Sequence, residues 1–184
     1  MKNFYVADLH FGHENIMKHS HRPFSSIEEM DKTLIQNWNN AVSDNDTVYI
    51  LGDFCFRSGK QPEEYLKKLN GKKIFILGNH DKDIRRNPKM HGLEKVADYL
   101  EISDTLNNTP KMVVLSHYPM IEWNGYFRDS IHLYGHIHNN VQNDAYKIMK
   151  TVKNAYNVGV DILDYTPRTL AEVIKYNDSF NKRN

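Results

Sequence analysis

Apolar residues in this chain fall in short runs separated by longer polar stretches. Runs dense in Val, Ile, Tyr and Phe occur at Phe4–Ala7, Thr47–Leu51, Lys73–Leu77, Met112–Leu115, Ile131–Tyr134 and Tyr156–Val160. Each has the length and composition of a buried strand. Between them lie helical patterns. Ile27, Met30, Leu34, Ile35, Trp38 and Val42 share one stripe at helical spacing, and Ser25 or Ser26 with Glu28 or Glu29 supplies a capping-box start. Pro62–Asn70 is a second helix, with Pro in its first turn and Gly71 just beyond its end. Thr166–Tyr176 is a third, capped by Thr166 before Pro167. Strands alternating with helices predict an α/β sandwich. No internal repeat or linker divides residues 1–184, so one domain is expected, with the polar tail 177–184 frayed.

Composition narrows the picture in three ways. With 40% hydrophobic and 11% aromatic residues the chain can build a core. Its 24 Lys and Arg nearly cancel 23 Asp and Glu, so no overall field draws it to nucleic acid or a membrane surface. The single cysteine, Cys55, precludes an internal disulfide, and Met1 leads into KNFYVADLH with no long apolar segment, which predicts a cytoplasmic protein. The ten histidines are the unusual feature, because they are grouped with acids at the ends of the predicted strands.

The first run ends in Asp8 and His10, the second in Asp53, the third in Asn79, His80 and Asp81, the fourth in His117 and the fifth in His136 and His138. A lone Asp after a strand is usually a turn residue, and a lone His is usually a surface or core residue. Five such endings together point instead to a site, because ligands of α/β sheets bind beyond the carboxyl ends of the strands. In Asp-Leu-His and His-Ile-His, residues two apart point the same way if the segment is extended, so each pair can offer two ligands to one side. Carboxylates, an amide and imidazoles without thiolate suit Mn, Fe, Zn, Ni or Co, Mn foremost, rather than a structural cysteine site. Seven candidates are too many for one tetrahedral ion and enough for two divalent ions sharing a carboxylate.

The ordered set Asp8-x-His10, Gly52-Asp53, Gly78-Asn79-His80-Asp81, His117 and Gly135-His136-x-His138 resembles the calcineurin-like metallophosphoesterase superfamily, and its finer features resemble small single-domain bacterial, archaeal and phage members. The resemblance implies a four-layer α-β-β-α sandwich of two mixed sheets flanked by helices. It implies that Asp8, His10 and His138 hold one metal, that Asn79, His117 and His136 hold a second, and that Asp53 bridges them. His80 matches the catalytic histidine, assisting the leaving group while a metal-bridging hydroxide attacks phosphorus, and Asp81 is expected to orient it or to be a turn residue.

Other residues are candidates by position. His13, Arg22 and Arg57 follow the first two motifs and could reach a phosphate or its substituent, or could be surface residues. Tyr118, Trp123, Tyr126 and Phe127 follow His117 and could line the mouth or belong to the core. The expected partner is a small phosphoester or nucleotide-type substrate, with no membrane and no strong nucleic-acid signal. Two other readings remain at this point: a catalytically silent metal-binding scaffold, and a nuclease of the same superfamily.

Overall fold

Side chains alternate across a strand, so the faces of the predicted strands decide how the layers stack. The structure, a computed structural model, describes all 184 residues. Strands β1 (Asn3–Val6), β2 (Thr47–Leu51), β3 (Lys72–Ile76) and β4 (Lys95–Ala97) form one sheet in that order, parallel throughout. Strands β5 (Tyr99–Leu106), β6 (Thr109–Ser116), β7 (Ile131–Tyr134) and β8 (Ala155–Asn157) form the second, which is mixed because β5 runs antiparallel to β6.

Phe4, Val6, Val48, Ile50 and Phe75 of the first sheet pack on Met30, Leu34 and Trp38 of α2 (Ile27–Ala41) and on Tyr65 and Leu66 of α3 (Pro62–Leu66). The intervening Tyr5, Ala7, Tyr49, Leu51 and Ile76 face the second sheet and meet Val113, Leu115, Ile131 and Leu133. Burial on both faces is why these strands read as unbroken apolar runs. Two short helices, α1 (Glu14–His19) and α4 (Lys82–Arg86), add Ile16 and Ile84 to the first cluster. On the far side, Tyr134 packs on Tyr146 and Met149 of α5 (Asp144–Met149), so the layers run helix, sheet, sheet, helix.

Two strands escaped the sequence reading. In β5 the exposed Tyr99, Glu101, Ser103 and Thr105 alternate with the half-buried Leu100, Ile102 and Leu106, and this dilutes the apolar signal. β4 is only three residues long. The last helix, α6 (Leu170–Arg183), starts later than predicted, with Thr169 and Glu172 as its capping box, and it carries Leu170 and Val173 into the core between the sheets. The expected frayed tail at 177–184 is corrected: the helix runs through Arg183, and Asn177 is buried. The Asn177 amide donates to the Asn157 carbonyl and accepts from the Asn157 N–H, both at 2.9 Å. A polar side chain with such partners reads from sequence like a solvated one. The second helix also ends early, at Leu66 instead of Asn70.

Candidate metal centre

The chain leaves five strands by sharp turns, and the turn residues converge. Donor atoms of Asp8, His10 and His138 lie within 4.8 Å of one another, and so do those of Asp53, His117 and His136. Asp53 Oδ2 lies 3.6 Å from His10 Nε2 in the first group and 3.6 Å from His117 Nε2 in the second. Asn79 Oδ1 is 3.1 Å from His117 Nε2. Asp8, His10, Asp53, His136 and His138 all have positive φ, between 51° and 73°. The expectation that Asp8-x-His10 and His136-x-His138 are extended is thereby corrected: left-handed turns, which non-glycine residues adopt sparingly, aim these side chains inward. Gly135 allows the close approach, since a Cβ there would stand 2.6 Å from Ala7 Cβ and 2.9 Å from Asp8 Oδ2.

The residues beneath the donors fix their orientation. His117 Nδ1–H donates to the Leu51 carbonyl at 2.8 Å, leaving the Nε2 lone pair facing the centre. His138 Nδ1–H donates to Asp161 Oδ2 at 2.8 Å with the same result. Asp161 in turn accepts from Arg22 Nε at 2.8 Å, while Arg22 donates to the carbonyls of Asp8 and Leu9 at 2.7 and 2.9 Å. Asn157 donates to the His138 carbonyl at 2.8 Å, so the Asn177 contact of α6 supports the centre from further out.

Electrostatics shows whether a metal ion suits the site. Both ring nitrogens of His10 are buried without a hydrogen-bond partner. Burial holds the His10 imidazole well below its ordinary value, hence neutral with one ring nitrogen free to offer its lone pair. Burial pushes the Asp8 carboxyl up, against the opposing effect of His138 and His117. For Asp161 burial also acts upward, but the Arg22 charge and the His138 hydrogen bond leave its carboxyl below the usual range. An orphaned imidazole nitrogen and a buried carboxylate short of positive charge are what a divalent cation would satisfy, and oxygen and imidazole donors without thiolate fit such an ion.

The predicted site residues divide into those at the centre and those displaced from it. His80 stands at the mouth, its side chain 31% exposed, with Nε2 3.9 Å from Asp53 Oδ2 and its backbone N–H donating to Asp53 Oδ1 at 3.0 Å. His13 and Arg57 border it through Phe56, whose ring lies 4.1 Å from that of His80, 4.9 Å from that of His13 and 5.1 Å from the Arg57 guanidinium. Tyr118, half exposed, packs 4.7 Å from His136, whereas Trp123 is buried against His132.

Two expectations are corrected. Arg22 is 4% exposed and its guanidinium is engaged by Asp161 and two carbonyls, so it braces the centre from below instead of facing the mouth. Asp81 neither orients the His80 ring nor lies in solvent: its carboxylate accepts from the N–H groups of Asp53, Phe54 and Gly78 at 2.7, 3.0 and 2.8 Å, clamping two ligand loops together. Asp161, Asn157 and Phe56 were missed. Asp161 carried a signal, because it directly follows the sixth apolar run, as Asp53 nearly follows the second.

Comparison with known proteins finds relatives over most of the chain. The family described as calcineurin-like phosphoesterase matches residues 1–110. An uncharacterized protein of Methanocaldococcus jannaschii is 37% identical over 95% of this chain and 90% of its own. The gene 66 protein of Mycobacterium phage L5 is 31% identical over 64% of this chain, which spans 63% of that protein. A protein of unknown function from Aquifex aeolicus has a crystal structure that superposes with a TM-score of 0.69 at 26% identity, covering 94% of this chain and 97% of its own. No helix is long and apolar enough to cross a membrane.

Proposed function

This chain belongs to the calcineurin-like phosphoesterases, and from that premise we propose that it hydrolyses a phosphodiester or phosphomonoester at a pair of divalent metal ions, manganese foremost. The observation that carries the reading is the placement of Asp53 Oδ2, 3.6 Å from a histidine of each donor group. Asp8, His10 and His138 would hold one ion, Asn79, His117 and His136 the other, and Asp53 both. When bound, such ions supply Lewis acidity that lowers the pKa of water and neutralises phosphate oxygens. The protein's own residues do the rest. Asp161 and the Leu51 carbonyl keep His138 and His117 in the tautomers that present Nε2. His80, tethered by its backbone to Asp53 and packed on Phe56, stands where it can give a proton to the departing oxygen, and imidazole is the side chain suited to that transfer near neutral pH. His13 and Arg57 border the mouth as substrate contacts. The reading carries a cytoplasmic location and a small phosphoester or nucleotide-type substrate.

The test is hydrolysis of bis-p-nitrophenyl phosphate and p-nitrophenyl phosphate by metal-stripped protein reloaded with Mn, Ni, Co, Zn or Mg. Metal-dependent release of nitrophenol is expected. His80→Ala should keep its ions yet lose about 10²- to 10⁴-fold in turnover of esters with alkyl leaving groups. No release with any ion, or equal turnover of His80→Ala on an alkyl ester, would contradict the reading or the role of His80 respectively.

A further inference from the structure

The net charge of +1 conceals an uneven distribution. A groove of about 810 Å³ opens between α2, α3 and the segment around Ser58, with the buried Gly12, Asp31 and Tyr65 at its floor and the exposed Lys32, Lys60 and Lys68 around it. The two oxygens of Asp31 are engaged within the protein: Oδ1 accepts from the Gly12 N–H at 2.9 Å and Oδ2 from the Tyr65 hydroxyl at 3.0 Å. Glu28 is the one exposed acid of the lining. None of the three lysines is in an ion pair, so their charge is free for a ligand; Lys147 is the only lysine that pairs.

The groove adjoins the loops of the metal centre through Gly12 and Ser58. Gly12 is two positions from His10, which keeps their Cα atoms within about 7.6 Å. A Cβ on Gly12 would overlap Ser58, so the loop carrying His10 and His13 lies directly on the segment after Phe56. That segment starts at Phe56, against His80, passes through Arg57, stacked on Phe56 at 5.1 Å, and reaches Lys60, which leans over the Tyr65 ring at 5.8 Å. Arg57 beside the mouth is thus followed along this segment by Lys60, which lines the groove together with Lys32 and Lys68.

Resting on the phosphoesterase reading, we infer that this groove is a distal subsite for the further phosphates of an extended phosphodiester, and that the substrate is a short single-stranded oligonucleotide. Four cations match a few phosphates of a single strand and fall short of the 6–10 phosphate contacts typical of strong duplex binders.

The test compares wild type with the combined Lys32→Glu, Lys60→Glu, Lys68→Glu variant. Anisotropy of a fluorescein-labelled single-stranded tetranucleotide, with protein held in EDTA, is expected to show binding at least tenfold weaker in the variant. The salt dependence of log K should become shallower by about 2, three contacts at roughly 0.7 each. In metal-loaded protein the variant should raise KM for the tetranucleotide about tenfold at unchanged kcat and turn over bis-p-nitrophenyl phosphate as wild type does, which also shows that it is folded. Equal tetranucleotide affinity and KM in both proteins, with the nitrophenyl ester still cleaved, would overturn the groove assignment and leave the phosphoesterase standing. Absence of turnover on every ester would remove both.

Discussion

Asp8, His10 and His138 stand on a buried ion pair, whereas Asp53, His117 and His136 are held largely by main-chain hydrogen bonds near the open mouth. Beneath the first group, Arg22 and Asp161 have no exposed side-chain surface, and their hydrogen bonds reach His138 Nδ1 and the Asp8 carbonyl directly. Around the second, the fixings are the Leu51 carbonyl for His117 and the Asp81 clamp on the Asp53 backbone, with Asn79 and Tyr118 exposed beside it. The same donor chemistry is thus set in two kinds of support. Buried charge makes the first group rigid and costly to disturb, while the open second group faces the substrate side and His80.

The sharpest way to break the contrast is to remove the brace. Arg22→Met leaves the Asp161 carboxylate buried without its cation, and the loss is expected to be about 3–5 kcal/mol of folding stability, read by urea denaturation, with metal retained by the second group if folding survives. A loss below about 1 kcal/mol would mean that the pair does not support the first group.

The loop beside the second group has a pH signature. His132 lies beneath the loop that carries Tyr118: its Nδ1–H donates to the Val114 carbonyl at 3.2 Å and its Nε2 accepts from the Met120 N–H at 3.1 Å. Burial lowers its imidazole from the ordinary 6.5 to about 4. Its folded value is depressed, so its contribution is complete above 6.5 and lost as pH falls toward 4, a decline on the order of 3 kcal/mol. His132→Gln should flatten that part of the stability–pH curve, and a curve of unchanged shape would place the acid sensitivity elsewhere.

A smaller effect separates the groups functionally. Asp161→Asn retains an acceptor oxygen but cannot serve both Arg22 and His138 as a carboxylate does. Affinity for the ion of the first group is expected to fall about 10- to 100-fold, measured by titration calorimetry, with turnover restored by excess metal. Unaltered affinity would show that the His138 tautomer needs no such partner.

How much of this was legible in the sequence follows the same division. The metal donors were readable because each terminates an apolar run, and runs buried on both faces, such as Val48–Leu51, stand out without any alignment. The supports were not. Arg22 and Asn177 look like surface residues because nothing local distinguishes a buried guanidinium or amide with well-placed partners from a solvated one; those partners, Asp161 and Asn157, lie 139 and 20 positions away. Asp81 was placed in the right neighbourhood and given the wrong partner, since sequence adjacency to His80 suggested a side-chain contact where the structure has three main-chain ones. The alternation in His136-x-His138 suggested an extended segment, yet both residues take left-handed φ of 73° and 51°, a conformation that residue type hints at and spacing cannot reveal.

The central claim is that Asp53 belongs to both groups at once. The most direct measurement is the number of Mn ions retained per chain by wild type and Asp53→Asn after equilibration and gel filtration, counted by inductively coupled plasma mass spectrometry. Two ions are expected for wild type and at most one for the variant. One ion in wild type, unchanged by Asp53→Asn, would contradict it.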